Sequence, residues 1–453
     1  MTQADSLFAL GRFDEARRWL ALATRAAALS GAEDVSPAVT AMQSLIDLTQ
    51  GSLAMSRVRL ECFAAVTASP QQRGMPDVVH ALVLYESGSL DQAQRLLSQS
   101  PCSTTEDSST DALILGRLLL ARIAWSQGEV SNSFLHLALL EQSARDRTCS
   151  RIHCAVWIER ARIATLQGRI DEAGHAVAQA ERHGALARMD VLGPSNEVET
   201  PGLARVRLHI AQGHFSAAAQ VLRPAIEQAR QCGRLRLKLK LSLLLAVSFE
   251  GMGKHAAAMA ELDSLLPFAG EEGWRSTFVE EGASVTTLLQ RWMQRFHSRG
   301  SESKIVPEFV GDLLKRLDTR GAVSFAASVV QPVHARLTER EHEVLNLLAH
   351  GRQNGVIAAS MGLSSHTVKA HLRNIYRKLG AHGQIEAVAI ARALGLLDET
   401  GEPKAAPSQQ RACRPGPHHR LGSPGHPQFA VDVLDVRLDR IGRNVQALAD
   451  LPV

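Results

Sequence analysis

A glycine recurs about every 40 residues through the first 270 positions, and this period restricts the possible folds more than any other feature. The glycines stand at positions 11, 51, 88, 128, 168, 213 and 253. The fifth residue after each of them is small, namely Ala16, Ser56, Ala93, Ser133, Ala173, Ala218 and Ala258. The second residue after the glycine is apolar in six of the seven cases. Such a period is typical of stacked supersecondary units.

The physical basis of this period is a helical hairpin. Glycine ends the first helix because it adopts the left-handed conformation at low cost. The small residue lets the backbone of the second helix approach the first. Each hairpin leaves apolar surface that its neighbours must cover, so the units stack. We therefore predict an all-α fold with a TPR-like helical-hairpin solenoid over residues 1–270, in preference to an irregular helical bundle. A solenoid offers a concave face to a protein or a small ligand, which the sequence leaves unidentified.

The repeat unit resembles the tetratricopeptide class, and its longer period is like the superhelical region of MalT-type regulators in the LuxR family. The stretch "RSTFVEEGASVTTLLQRW" at 275–292 strengthens this resemblance. In that family a segment with the same pattern closes the repeats, and the matching positions here are Arg275, Phe278, Glu281 and Gly282. Residues 271–335 are therefore expected to hold closing helices and a linker.

A second pattern begins at residue 337 and has the layout of a helix-turn-helix DNA-binding unit. Thr338 and Glu341 have the spacing of a capping box, which predicts the start of a helix. A second helix is expected from about Asn354 to Met361, followed by a turn at Gly362. Ser364 then caps a third, basic helix. Helix, tight glycine turn and basic helix follow one another in this class of DNA-binding proteins.

The third helix carries cations but no acidic residue between positions 364 and 380. At about 100° per residue, the apolar positions from Val368 to Leu379 share one side. Lys369, Ala370 and Arg373 fall on the nearly opposite side, together with Arg377. A solvated cationic face is the alternative interpretation. The opposed faces and the preceding turn favour DNA, because a recognition helix needs this polarity.

The unit at 336–398 resembles the four-helix LuxR-type DNA-binding domain over Leu337–Leu345 and Thr367–Gly380. The resemblance implies that the third helix enters the major groove, with Lys369, Ala370 and Arg373 facing base edges. It also implies that Thr367 and Lys378 contact phosphates, and that a fourth helix at about 383–393 forms a homodimer contact. The predicted DNA-binding residues are Ser364, Ser365, Thr367, Lys369, Ala370, Arg373, Arg377 and Lys378.

Two departures from the family pattern predict weakened, not abolished, DNA binding. Gly355 and Val356 follow Asn354, where the family usually has lysine and glutamate. A cation suited to backbone phosphate is lost, and glycine costs a helix about 1 kcal/mol relative to alanine. Gln384 and Ile385 also replace a pair that begins with arginine in the family.

No motif for catalysis or for nucleotide binding is found in the sequence. MalT-type regulators carry an ATP-binding domain ahead of the repeats, but "GMGKHA" at 251–256 lacks the phosphate-loop spacing and its hydroxyl residue. Serine-hydrolase and zinc-protease motifs are also missing. We therefore predict no enzyme activity, no catalytic residue and no cofactor.

The cysteines and the apolar segments favour a cytoplasmic protein. Six cysteines are scattered along the chain, and the group Cys149, His153 and Cys154 lacks a second ligand pair. Free thiols are therefore expected rather than a metal site. No signal peptide and no apolar stretch of 18 or more residues is visible, so no membrane contact is expected.

Together these patterns predict a DNA-binding transcriptional regulator with the following organisation. The repeats sense an unknown ligand or protein, and the helix-turn-helix domain binds promoter DNA as a homodimer. The net charge of only +4 requires the DNA site to be a local patch. Residues 399–453 are expected to be disordered, because positions 400–428 are rich in proline, glycine, histidine and arginine. The alternative is a protein-interaction scaffold with weak or vestigial DNA binding.

Overall fold

A computed structural model of the chain describes most residues up to position 379. The described ranges are 2–30, 35–66, 70–100, 108–187, 193–299, 306–318, 337–350 and 352–379, with a few positions between 383 and 397. All regular elements in these ranges are helical, which confirms the predicted all-α class. The expected fourth helix of the second domain lies largely outside the described residues, and the tail at 399–453 lies entirely outside them.

Seven helical hairpins follow one another through residues 2–272. They pair α1 (Thr2–Ala9) with α2 (Phe13–Ser30), α3 (Val35–Thr49) with α4 (Leu53–Val66), α5 (Pro70–Glu86) with α6 (Leu90–Gln99), α7 (Thr110–Ser126) with α8 (Val130–Asp146), α9 (Ser150–Leu166) with α10 (Ile170–Ala187), α11 (Pro201–Ala211) with α12 (Phe215–Gln231), and α13 (Leu235–Gly251) with α14 (His255–Glu272). A short 3-10 helix, Pro194–Asn196, precedes α11.

The turns of these hairpins confirm the role predicted for the repeated glycine. All seven glycines lie between the two helices of a hairpin, with φ between 69° and 88°. This left-handed conformation strains any residue with a Cβ atom. The small residues five positions later are all fully buried, at 0% exposure. The sequence period therefore marks the turn of each repeat and a fully buried small residue in its second helix.

Three further helices continue the repeat region beyond residue 272. They are α15 (Ser276–Val279), α16 (Ala283–Arg299) and α17 (residues 306–318). Phe278, Leu288 and Leu313 are fully buried in the same apolar core as the repeats. The closing helices therefore share the core of the hairpins and do not form a separate layer.

The first and last hairpins are in direct contact. A guanidinium Nη2 of Arg234, which precedes α13, donates to the carbonyl oxygens of Phe8 at 2.7 Å and Ala9 at 3.0 Å. The indole N–H of Trp274 donates to the carbonyl oxygen of Gly51 at 3.3 Å. The array of repeats thus turns back on itself, because these contacts join residues more than 200 positions apart.

The segment around α15 contacts α5 and α13, and the first helices of the hairpins from α3 to α13 contact one another in sequence. Its Glu280 carboxylate accepts hydrogen bonds from Tyr85 at 2.7 Å and from Lys240 at 3.0 Å. It also accepts one from Arg122 at 3.1 Å. These donors lie on α5, α13 and α7, so one side chain ties together three hairpins. The chain itself therefore covers part of the surface of these three helices.

Glu281, the next residue, extends this buried ionic network. It accepts hydrogen bonds from Arg207 on α11 at 2.7 Å and from Lys240 at 2.9 Å. Burial alone would raise the pKa of Glu281, but the two cations outweigh this effect and lower it to about 2. The carboxylate is therefore charged at neutral pH. A buried charge is tolerated only when it is paired and hydrogen-bonded, so the network fixes the position of this segment.

The second pattern of the sequence folds into three described helices around a core of its own. They are α18 (Glu339–Ala349), α19 (Asn354–Met361) and α20 (Ser365–Leu379). Val344, Ile357, Leu372 and Ile375 are among the buried residues of this core. We call residues 337–379 the helix-turn-helix module. In neither region is any described helix long and apolar enough to cross a membrane.

Candidate nucleic-acid interface

The helix-turn-helix module begins with the predicted capping box. The backbone N–H of Glu341 donates to the Thr338 hydroxyl at 3.3 Å, and that of Thr338 donates to the Glu341 carboxylate at 2.7 Å. Both bonds satisfy N–H groups that have no partner inside the helix. The start of α18 is therefore set locally by the sequence, as predicted.

The turn between α19 and α20 has the geometry that aims the third helix. Gly362 adopts the left-handed conformation with φ of 64°. Leu363 packs against the core of the module directly after this turn. The Ser364 hydroxyl then accepts a hydrogen bond from the backbone N–H of Thr367 at 3.1 Å and begins α20. The turn and the cap agree with the prediction from sequence.

Helix α20 has a buried face and an opposite exposed face. Val368, Leu372, Ile375 and Leu379 are at most 5% exposed. The exposed residues of the helix include Ser365, Lys369, Ala370, Arg373 and Arg377, while Ser364 is exposed just ahead of it. The two sets separate as the helical angles predict. The exposed face brings Lys369 and Arg373 to the surface one turn apart.

Lys378 has an intramolecular partner that the sequence did not reveal. Its ammonium donates to the Glu341 carboxylate at 2.6 Å, and the Lys378 side chain is 27% exposed. Burial would raise the pKa of Glu341, but hydrogen bonds from Lys378 and from the Thr338 N–H outweigh it and lower the pKa. Lys378 therefore fastens the end of α20 to the start of α18.

His366 was not among the residues predicted to contact DNA, yet it lies in the first turn of α20 and is exposed. Its angular position falls between those of Lys369 and Ala370, so helical geometry alone places it on the same face. Thr367, which was predicted, is only partly exposed. The exposed face of α20 thus contains one more hydrogen-bonding side chain than the sequence prediction included.

The departure at the start of α19 lies on the surface. Gly355 and Val356 are both exposed, and the Val356 residue is 48% exposed. A Cβ atom added at Gly355 would have no neighbouring atom within 4 Å. The two residues therefore change the surface of the module without disturbing its core, where Ile357 and Ala358 are buried.

The cysteines in the described residues show no arrangement for metal binding. No group of three or more histidine, cysteine, aspartate or glutamate residues there is placed to hold a metal ion. The Cys154 thiol is buried and donates to the carbonyl oxygen of Ala180 at 3.3 Å. Burial raises the pKa of this thiol to about 12. Cys154 is therefore protonated at neutral pH and packs in the core, which does not favour a nucleophilic thiolate.

Two family models match the chain. The model described as the MalT-like TPR region matches residues 1–295, and the model of bacterial regulatory proteins of the luxR family matches residues 335–391. The first match covers the seven hairpins and most of the closing helices. The second covers the helix-turn-helix module and extends past its last described helix.

Curated transcriptional regulators are also similar to parts of the chain. The HTH-type transcriptional regulator MalT of Yersinia enterocolitica is 26% identical over an alignment of 301 residues that covers 61% of this chain and 31% of the relative. MalT of Cronobacter sakazakii is 28% identical over an alignment of 210 residues that covers 42% of this chain and 22% of the relative. The transcriptional regulatory protein YdfI of Bacillus subtilis is 42% identical over 86 residues, or 19% of this chain and 39% of the relative. These matches therefore span less than half of the length of each relative.

Proposed function

Since the chain belongs to the family of the MalT-like TPR region and carries a domain of the luxR family of bacterial regulatory proteins, we propose that it is a DNA-binding transcriptional regulator. In this proposal the repeats sense a ligand or a protein, and the helix-turn-helix module binds promoter DNA. The cytoplasm is the proposed location, because duplex DNA lies there in a bacterial cell.

The observation that carries the proposal is the exposed face of α20. Lys369, Arg373 and Arg377 share it, and the side chains on the opposite face are buried. None of these three cations forms an ion pair among the described residues. Arg377 donates only to the amide oxygen of the neighbouring Asn374, at 3.2 Å. A rigid helix that presents free cations opposite its core fits the major groove and the phosphates beside it.

The cations are proposed to divide into two roles. Lys369 and Arg373 lie one turn apart and reach base edges, where arginine forms a bidentate pair with guanine worth about 1–3 kcal/mol of discrimination. Ser364, Ser365 and Thr367 begin the helix and contact phosphates, which position the module without reading sequence. Lys378 joins this second group through its positive charge near the end of α20.

A homodimer is part of the proposal. The resemblance to the luxR family implies a dimer contact on the fourth helix, and Ala387 and Ala391 of this segment are buried in the core of the module. A dimer would recognise two half-sites, so the preferred DNA sequence is expected to be an inverted or direct repeat. Sedimentation of the full chain with and without a duplex tests this expectation.

Selection of duplex DNA from a random pool by the full chain tests the main proposal. We expect an enriched sequence whose binding weakens steeply with salt, because phosphate contacts release counterions. Arg373→Ala should relax the preferred sequence and lose about 1–3 kcal/mol against the best site. Arg340→Ala is the matched control, since this arginine is exposed on α18 and paired with Glu343 at 2.8 Å.

The outcome that contradicts the proposal is also defined. If Arg373→Ala and Arg340→Ala behave alike and no sequence is enriched, α20 is only a solvated basic face. The chain would then act as a protein-interaction scaffold through its repeats. Binding of the wild type to all sequences with equal affinity would retain DNA as the partner but remove the reading of bases by Arg373.

A further inference from the structure

A cleft of about 210 Å³ opens beside the turn of the third hairpin. Its lining includes Arg275 and Arg316, the hydroxyl residue Ser126, and apolar side chains of Leu90 and Val279. A single water needs only about 10–15 Å³, so the cleft has room for a small organic molecule. The cleft lies where the closing segment and α17 meet the repeats.

The two arginines of the cleft share one carboxylate. The Nε atom of Arg275 donates to Asp312 at 2.7 Å, and the Nε atom of Arg316 donates to the same carboxylate at 3.1 Å. One negative charge against two positive charges leaves a local excess of one positive charge. The nearby carboxylate of Glu86 does not offset it, because this side chain pairs with Arg236 at 2.7 Å.

Both guanidinium groups are held in place and still have donors to spare. One Nη atom of Arg316 donates to the carbonyl oxygen of Gly88 at 3.0 Å, and one of Arg275 donates to that of Gly273 at 3.3 Å. The Nη2 atom of each arginine has no hydrogen bond to any residue that the structure describes. Guanidinium N–H groups in a fixed orientation are well suited to carboxylate and phosphate oxygens.

A purely structural role accounts for only part of this arrangement. An ion pair between Arg275 and Asp312 would be sufficient to fasten α17 to the closing segment. It does not require the second arginine, the unused donors or the open space beside them. The side chains of Arg275 and Arg316 remain 30% and 37% exposed, so a solute can reach them.

We propose that this cleft binds a small organic anion, with its carboxylate or phosphate group between Arg275 and Arg316 and its carbon skeleton along Leu90 and Val279. The inference deepens the sensing role proposed for the repeats by naming the class of ligand. Val279 is next to Glu280 of the ionic network, and α17 is the last described helix before the helix-turn-helix module in the sequence.

Calorimetry on the full chain without DNA tests this inference, so its outcome is independent of DNA binding. The probes are inorganic phosphate, citrate and 3-phosphoglycerate, each compared with sodium chloride at the same ionic strength. We expect 3-phosphoglycerate to bind with one site per chain and to raise the unfolding temperature. Comparing phosphate with citrate shows which anionic group the cleft prefers.

Three variants locate the site. Arg316→Gln should weaken binding at least about tenfold, since a hydrogen bond to a charged group is lost. Ser126→Phe should abolish binding by filling the cleft, because it leaves the arginines intact and removes only a hydroxyl bonded to Ile123 of its own helix. Asp312→Asn should keep or strengthen binding, since it removes the competing carboxylate.

Arg230→Gln on α12 is the matched control, because Arg230 is exposed, is paired with Glu227 and does not line the cleft. Equal binding by wild type, Arg316→Gln and Ser126→Phe would overturn the inference, as the anion would then bind elsewhere on the basic chain. Failure of all three probes to exceed the chloride effect on the wild type would overturn it as well. If Arg316→Gln does not fold, Ser126→Phe alone decides the question.

Discussion

Restoring a cation at the start of α19 tests the DNA-binding surface by a gain of function. Gly355 is the second residue of α19, is exposed, and has open space where a Cβ atom would be added. Its substitution therefore requires no rearrangement of the module. Gly355→Lys introduces the charge found at this position in the luxR family, and Gly355→Ala is the matched control without charge.

The expected magnitudes separate helix stability from DNA binding. Alanine should stabilise α19 by about 0.5–1 kcal/mol relative to glycine. Lysine gains a similar amount from its helix propensity but loses about 0.3–1 kcal/mol in the first turn of a helix, where the macrodipole disfavours cations. One new phosphate contact should make the slope of log K against log salt concentration more negative by about 0.9. Between 0.1 M and 1 M salt this added slope weakens binding by a further factor of roughly eight.

Two measurements on the full chain check this prediction. Hydrogen exchange of peptides from α19 reports local stability, and titration of a fluorescent duplex at several salt concentrations reports the slope. We expect Gly355→Ala to slow exchange without changing the slope, and Gly355→Lys to change the slope for all sequences alike. If lysine and alanine give the same salt slope, the start of α19 does not face phosphate and the proposed docking is wrong.

The remaining predictions concern stability. Lys240→Met should destabilise the repeats by roughly 3–5 kcal/mol, because Glu281 loses a buried partner. Urea unfolding followed by tryptophan fluorescence measures this change, and an unchanged urea midpoint would contradict the role of the network. The pKa of Glu281 is lowered to about 2, so its contribution to the free energy of unfolding is complete above the ordinary pKa of 4.5. This contribution should be lost as the pH falls from 4.5 to about 2. Near-UV circular dichroism that is constant down to pH 2 would refute this expectation. Lys378→Met should lower the local stability of α18 by about 1–3 kcal/mol, because Glu341 loses a hydrogen-bond partner, and should therefore speed hydrogen exchange there. Arg377→Met should leave this exchange unchanged.

Much of the fold could be predicted from the sequence because the decisive interactions are local. The repeated glycines specify turns through their own backbone conformation, and the small residues specify close helix contacts one turn later. Thr338 and Glu341 specify a helix start within four residues. The faces of α20 follow from the helical period alone. These rules need no knowledge of distant parts of the chain.

The remaining features depend on contacts between residues that are far apart in sequence. Glu280 is 158 positions from Arg122 and 195 from Tyr85, so no local pattern links them. The segment around Glu280 was recognised from its resemblance to a family, but its place against the first helices was not. The pair of Lys378 with Glu341 was missed for the same reason, since 37 residues separate them. The sequence thus shows which residues carry charge, and the fold determines which charges meet.

The contact between the first and last hairpins has a consequence for how the repeat region folds. An open solenoid has mainly local contacts, so its terminal repeats fray and its units unfold nearly one by one. Here the contact between Arg234 and Phe8 joins residues that are 226 positions apart. Bringing them together in an unfolded chain costs conformational entropy, and this cost is small only after the intervening hairpins have stacked. The closing contact therefore forms late and couples both ends into a single cooperative unit. Inserting or deleting one hairpin would separate these partners, so the length of the array is constrained by its own closure.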